Sequence, residues 1–169
     1  IRAEARGLGL GARLKWYQRD WCLARGIRLV RWTFDPLRLP NASLNIATLG
    51  AVCRTYYPDY YGRMAGINAG IPSDRLLVEW FLEDAAVVAR ADRRAVSVTP
   101  VSRIAIPKDF AEMLSADPDR ALAERLRLRQ ALTDAFAQGR EIKGFDRSSS
   151  EYLIAERVDR GAAGYPAAP

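Results

Sequence analysis

The chain has 169 residues, of which 49% are hydrophobic, enough for one buried core or one core with an appendage. Lys and Arg total 26 against 20 Asp and Glu, giving a net charge of +6, which favours anionic ligands without choosing among them. Histidine is absent, and this excludes His-based general bases, Ser-His and Cys-His pairs and most catalytic zinc sites.

Two cysteines, Cys22 and Cys53, are present without metal-ligand spacing. They are predicted to be buried free thiols in a reducing compartment, and we expect no metal centre. No run approaches the roughly 18 apolar residues of a membrane span, and the N-terminus lacks the apolar segment of a signal peptide. The sequence therefore predicts a cytoplasmic protein with no membrane association. It contains no aromatic-and-basic motif of a nucleic-acid reader, so no nucleic-acid partner is expected.

Three glycines alternate near the start of the chain, in Arg6-Gly7-Leu8-Gly9-Leu10-Gly11. The residues that follow predict a helix, so uncovered backbone N–H groups would lie at the positive end of its dipole. Such an arrangement favours a phosphate or pyrophosphate. The candidate ligand-binding residues here are Arg6, Gly7, Leu8, Gly9, Leu10, Gly11 and, one turn into the helix, Arg13. The alternative is a glycine-rich turn that only starts a helix.

The first predicted helix ends at Gly26 and is followed by a strand over 27–34 and an Asp35-Pro36 turn. A helix joined so closely to a strand predicts helices packed on a sheet, in an α/β fold. Its expected inward face follows helical spacing and comprises Leu10, Leu14, Tyr17, Trp21 and Ala24.

Asn41 follows a proline and is predicted to be the N-cap of a short helix through Leu49. Further strands are expected over 51–57 and 75–82, separated by a glycine-containing loop. Residues 83–99 lack a clear period and predict a linker or a weak helix.

The last third predicts a strand over 101–106 and a long helix starting at Asp117-Pro118 and ending at Gln138. The apolar side of this helix is expected to comprise Leu122, Leu126, Leu132, Ala135 and Phe136. Two short strands, over 141–145 and 152–156, are predicted to form a hairpin. Residues 161–169 are predicted to be a disordered tail.

The order of glycine loop, helix, strand and Asn-started helix resembles the second half of the GNAT acyltransferase superfamily. The loop signature of that family is Q/R-x-x-G-x-G/A, and Arg6, Gly9 and Gly11 satisfy its fixed positions. More narrowly, the chain looks like a poorly characterised bacterial subgroup with a C-terminal extension. The matching segments are 32–37, Asn41-Ala42 with Asn45, Leu49-Gly50, Tyr61-Gly62, Asp74-Arg75-Leu76, 106–110 and 144–145.

The resemblance implies a GNAT-like mixed sheet with helices on both faces and a small α+β extension. Residues 1–82 would be the C-terminal half of an acyl-CoA-binding domain, 83–100 a linker, 101–160 the extension and 161–169 the tail. The cofactor would be acetyl-CoA or another acyl-CoA, and the activity the transfer of an acetyl or succinyl group to the amine of a small molecule such as an amino acid.

Site residues follow from the same comparison. The loop amides would hold the pyrophosphate, while Asn41 and Asn45 would contact the pantetheine arm, unless Asn41 is only a helix cap. Asp35 would bind the amine or act as base, or only form a turn. Ile46 stands where the family often has a general-acid Tyr. The nearby candidate acids are Tyr56, Tyr57, Tyr60 and Tyr61, of which Tyr61 is the predicted acid.

The strands that precede the loop in the family are missing, so the chain looks like the C-terminal part of a longer protein. Its exposed sheet edges predict a homodimer or pairing with the missing N-terminal segment. Two other functions stay open. One is a non-catalytic CoA-binding or interaction module. The other is an NAD-binding Rossmann-type oxidoreductase, because Gly7-x-Gly9-x-x-Ala12 fits that fingerprint and Asp35 ends the next strand.

Overall fold

A computed structural model describes residues 9–62 and 71–160. The described part is an α/β fold with one six-stranded sheet, five α-helices and one π-helix. The strands are β1 Leu29–Phe34, β2 Val52–Tyr57, β3 Arg75–Phe81, β4 Ser102–Ala105, β5 Arg140–Asp146 and β6 Glu151–Glu156. The helices are α1 Leu10–Leu23, α2 Leu39–Ala42, the π-helix Ser43–Thr48, α3 Ala85–Ala91, α4 Phe110–Ala116 and α5 Pro118–Ala137.

The sheet has the order β1-β3-β2-β5-β6-β4. All of the described strand pairs are antiparallel, so the predicted mixed sheet is not what residues 9–62 and 71–160 form. A parallel pair would need a strand beside β1 that enters from before α1, and the described residues hold none. The expected sequence positions of the strands are otherwise confirmed to within about two residues.

One face of the sheet carries the core. Trp32 lies opposite Val78 in the β1–β3 register, and Cys53 lies opposite Ile142 where β2 meets β5. Directly opposed residues share a face of a sheet. Val78, Cys53 and Ile142 belong to one cluster of buried residues, and the partly buried Trp32 packs against it. The opposite face carries Arg31 opposite Glu79, with Arg54 also bonded to that carboxylate.

Helix α1 contacts the sheet through a different face from the predicted one. Leu14, Tyr17 and Trp21 were expected to point inward, but they are 67, 69 and 45% exposed. Trp16 instead packs edge-on against Trp80, with ring centroids 5.7 Å apart, and Cys22 is buried.

Charged residues of α1 complete this contact. Lys15 places Nζ 3.6 Å from the ring centroid of Trp32. Arg19 Nε donates to the Leu82 carbonyl at 2.8 Å. The apolar stems of such side chains cover aromatic surface while their charged ends find partners, and counting apolar residues misses them.

The segment after β1 begins its helix earlier than predicted. Arg38 is the N-cap residue of α2 and makes no side-chain capping bond, while Pro40 lies in the first turn. Asn41 therefore lies inside this turn, where its N–H donates to the Arg38 carbonyl at 2.9 Å. The predicted N-cap role of Asn41 is wrong, because the N-cap position lies three residues earlier.

Helix α5 starts and ends as predicted, with Asp117 accepting from the Arg120 N–H at 3.0 Å. Its inward face is shifted, however, since Leu126 is exposed. The residues that face inward follow alternating spacings of four and three, and comprise Ala121, Arg125, Leu128, Leu132 and Ala135.

Helix α3 forms where a linker or weak helix was expected, with Asp84 capping it through the Ala86 N–H. Helix α4 was not predicted.

The sheet continues from β2 into β5, so strands from residues 9–82 and from residues 101–160 share it. The buried Tyr152 also donates its hydroxyl to the Pro36 carbonyl at 2.7 Å. The proposed division at residues 83–100 stays a prediction about domain organisation.

Both cysteines are buried free thiols, as predicted. In the described ranges, no helix is both long and apolar enough to span a membrane.

Candidate functional site

Three strand ends meet at one end of the sheet. The register places Phe34 of β1 opposite Leu76 and Tyr57 of β2 opposite Arg75. Asp35, which follows β1, and Arg75, which begins β3, therefore lie close together. Strand ends are where an α/β architecture can collect polar side chains from distant parts of the chain.

Asp35 is held by several donors at this end of the sheet. Its Oδ1 accepts from the Leu37 N–H at 3.0 Å and from Arg125 Nη1 at 2.6 Å, and its Oδ2 accepts from Arg125 Nη2 at 2.9 Å. Arg75 Nη1 lies 3.8 Å from Oδ2. A substrate amine would have to compete with Arg125 for this carboxylate. The assignment of Asp35 as base stays a prediction, beside the turn that its Leu37 bond forms.

Tyr61 also lies near Arg75. The Arg75 guanidinium carbon is 5.0 Å from the Tyr61 ring centroid, and the ring also contacts Tyr60, with centroids 4.9 Å apart. The Tyr61 backbone N–H donates to Ser73 Oγ at 2.8 Å. The structure thus brings the two predicted catalytic residues, Asp35 and Tyr61, near the same guanidinium, that of Arg75.

A cavity of about 410 Å³ is lined by the segment that follows Asp35, residues 37–41, although Asp35, Arg75 and Tyr61 themselves do not line it. The charged residues that line it are Arg38 and Lys108, and no carboxylate lines it among the described residues. Lys108 donates to the Ser148 carbonyl at 3.3 Å, while the exposed Arg38 side chain has no ion-pair partner in the part of the chain that the structure describes. The cavity is therefore positively charged.

Asn41 lines this cavity as well. Its side-chain amide has no hydrogen-bond partner within the described ranges, and the same holds for the buried Asn45 one turn further on. Asn45 lies in the π-helix, where the Leu49 N–H donates to the Leu44 carbonyl five residues back. π-helical turns occur often at functional sites. The amide of Asn41 lines the cavity and is free to accept from and donate to a ligand there, whereas Asn45 is buried and does not line it.

The start of α1 carries the remaining candidates. Gly9 has a left-handed backbone with φ of 67° and would have no atom within 4 Å of an added Cβ. Leu10 and Gly11 form the first turn of the helix after it, and Arg13 is exposed without an ion pair among the described residues. Arg6, Gly7 and Leu8 lie outside the described residues. The helix contacts the π-helix, but no described hydrogen bond or ion pair joins Gly9–Arg13 to the cavity.

A second carboxylate near the strand ends was missed by sequence reasoning. Asp74 accepts from Tyr56 Oη at 2.6 Å and from Arg129 at 2.7 and 3.0 Å. Burial raises the pKa of Asp74, but hydrogen bonds from Arg129, the Asp59 N–H and Tyr56 outweigh it, so its pKa is lowered. Burial and the neighbouring carboxylate raise the pKa of Tyr56. The hydroxyl therefore stays protonated and serves to hold Asp74.

The residues that sequence reasoning missed are Arg38, Asp74, Arg75, Lys108, Arg125 and Arg129. Arg125 and Arg129 reach their carboxylates across 90 and 55 positions of the chain. Such pairs leave no local pattern. Helical spacing could have identified Arg125, because it shares the inward face of α5 with Ala121, Leu128 and Leu132. A buried cation on that face needs a carboxylate partner.

No family model, no curated protein and no solved structure matches this chain.

Proposed function

We propose that this chain binds an acyl-coenzyme A and contributes to transferring its acyl group, acetyl or succinyl, to the amine of a small molecule such as an amino acid. The observation that carries the proposal is the 410 Å³ cavity lined by Asn41, Arg38 and Lys108. Guanidinium and ammonium groups suit phosphates, and an unpaired side-chain amide suits the amide groups of a pantetheine arm.

The start of α1 supports the same ligand. Gly9 precedes the first turn of a 14-residue helix and adds no side chain beside it, and Arg13 adds an exposed guanidinium one turn later. Together they suit a pyrophosphate. The resemblance to the GNAT superfamily rests on this same stretch, with Arg6 and Gly7 before it.

The chemistry would need no covalent enzyme intermediate. The amine would attack the thioester carbonyl carbon, the C–S bond would break as the tetrahedral adduct collapses, and free coenzyme A would leave as its thiolate with no change of oxidation state. A carboxylate such as Asp35 or a water takes the amine proton, and Tyr61 is the candidate donor to the thiolate. Arg75, near both of these residues, would hold a carboxylate of the substrate.

Ligand binding tests the proposal first. We expect coenzyme A and acetyl-CoA to raise the melting temperature of the full chain, and NAD not to. Arg38→Met and Asn41→Ala should each weaken coenzyme A binding about tenfold in calorimetry. Arg120→Met, an exposed cation on α5, is the matched control and should bind as the parent does. Stabilisation by NAD alone would instead favour the oxidoreductase.

Thiol release from acyl-CoA with a panel of small amines tests the transfer step. The tight pairing of Asp35 with Arg125 favours a second candidate function, a CoA-binding module without transferase activity. Binding without amine-dependent thiol release would support that module. Failure to bind either coenzyme A or acetyl-CoA would contradict both functions.

A further inference from the structure

A second cavity, of about 390 Å³, lies at the other end of the sheet. Helix α3 forms one wall, and residues 95–98 form another. Val52 of β2 and Lys143 of β5 contribute from the sheet, and Val158 and Arg160 follow β6. Among the described residues, this cavity shares no lining residue with the one that contains Asn41. It is therefore a separate site.

The lining combines a small-residue, apolar surface with a positive charge. The apolar part consists of alanines and valines, namely Val52, Ala85, Ala86, Ala89, Ala95, Val96, Val98 and Val158. The charged part consists of three cations, Arg90, Lys143 and Arg160, and one carboxylate, Asp84.

The single carboxylate of the cavity, that of Asp84, already has hydrogen-bond donors within the fold. Asp84 Oδ2 accepts from Arg160 Nε at 3.0 Å, and its Oδ1 accepts from the Ala86 N–H at 2.9 Å. Arg160 is satisfied further by Glu141, at 2.8 and 3.0 Å. Two cations of the cavity, Arg90 and Lys143, are left without a carboxylate within ion-pair distance among the described residues.

Arg90 is the more unusual of the two, because it is partly buried. Its Nε donates to the Ala47 carbonyl and its Nη1 to the Ala86 carbonyl, both at 3.1 Å, which leaves Nη2 without an acceptor in the described ranges. Other arginines buried to a similar or greater degree in this fold, such as Arg125 and Arg160, have carboxylate partners. Burial lowers the pKa of Arg90, so an anion beside this guanidinium would offset part of its desolvation.

The position of Arg90 is also constrained. Its side chain lies over Gly50, where an added Cβ would be 2.9 Å from Nη1 and 3.1 Å from Cδ. The guanidinium is therefore packed in place before any ligand arrives, which reduces the entropy lost on binding.

We infer that this cavity is a binding site for a small organic carboxylate with an apolar body, whose carboxylate is held by Arg90 and Lys143 while the body packs on α3 and Val52. A guanidinium with a free nitrogen and a nearby ammonium favour a carboxylate. The alanine and valine lining favours an aliphatic or aromatic body over a bare inorganic anion.

Calorimetric titration of the full chain with 3-phenylpropanoate and 4-methylpentanoate tests this site, with 3-phenylpropanamide and inorganic phosphate as comparison probes. We expect one-to-one binding of a carboxylate and much weaker binding of the amide and of phosphate. Binding of the amide as tight as that of the acid, binding of phosphate as tight as that of the acid, or no carboxylate binding at millimolar concentration would each overturn the inference.

Substitutions locate the site. Arg90→Met should weaken carboxylate binding about tenfold or more, and Lys143→Met roughly threefold, whereas Arg120→Met should leave it unchanged. Lys143 is a partly exposed strand residue, so its variant keeps the test valid if Arg90→Met folds poorly. In amide NMR spectra, the carboxylate should shift Gly50, Ala86 and Ala89. Unchanged binding in both variants, or shifts confined to other residues, would contradict the site.

Discussion

A guanidinium on the inward face of a helix needs a carboxylate partner, and Arg125 obtains one from the turn after β1. Its side chain is 3% exposed and forms two bonds to Asp35. Neither residue alone predicts the pair. The sequence correctly marks Asp35 as a polar residue at a strand end, but its engagement by a helix 90 positions away depends on the tertiary fold.

Arg125→Met should lower the free energy of unfolding by about 3 kcal/mol, because it leaves a partly buried carboxylate without its main partner. Urea denaturation measures this loss. Arg120→Met should change the free energy of unfolding by less than about 0.5 kcal/mol. The double variant Asp35→Asn/Arg125→Met should regain part of the lost free energy of unfolding, because it no longer leaves a charged carboxylate without its partner. A loss below about 1 kcal/mol for Arg125→Met would mean that the pair is worth no more than a surface ion pair.

At the scale of secondary-structure elements, local sequence patterns predicted the strands, the start of α5 and the glycines that follow the helix ends. Short runs of β-branched and aromatic residues and a Pro at the first helical position are sufficient signals, because they act within a few residues. The inward faces of α1 and α5 were less predictable. In α1, a lysine and an arginine take part in the contact with Trp32 and Leu82, and apolar periodicity assigns such residues to solvent. The unpaired amide of Asn41 became visible only once the true start of α2 was known.

Paired substitutions in α1 test its orientation. Trp16→Ala should lower the free energy of unfolding by about 3 kcal/mol, because the edge-on contact with Trp80 is lost. Leu14→Ala should change it by less than about 0.5 kcal/mol, since Leu14 is exposed. Urea denaturation followed by circular dichroism measures both. If Leu14→Ala is the more damaging of the two, the predicted inward face is correct and the observed one is wrong.

At the scale of the whole molecule, one sheet and one buried cluster run from α1 to β6. The pairing of β2 with β5 and the bond from Tyr152 to Pro36 both join the first half of the chain to the second. The resemblance to the GNAT superfamily implied an extension over residues 101–160. Periodicity could not test this, because it does not identify strand partners far apart in the chain.

Leu132→Ala tests whether the two halves unfold together. Leu132 is fully buried in α5, and the substitution should lower the free energy of unfolding by about 3 kcal/mol. The four tryptophans, at 16, 21, 32 and 80, all precede residue 100, so their fluorescence follows the first half, whereas far-UV circular dichroism includes the 20-residue α5. In one cooperative unit, both signals shift to the same urea concentration. A shift in dichroism with unchanged fluorescence would instead support separate domains.

The π-helix affects how positions in this segment are counted. A turn with bonds between residues five apart holds one residue more than an α-helical turn, so the helical phase changes between Ser43 and Leu49. Under the proposed GNAT resemblance, counting back from Gly50 as in an uninterrupted α-helix would assign the family's Tyr position to Ile46, whereas a one-residue gap at the wide turn would move that position to Asn45. An alignment of this chain with the GNAT family would therefore need a one-residue gap inside the π-helix. The residue aligned with the Tyr would then be the buried amide Asn45 instead of the aliphatic Ile46.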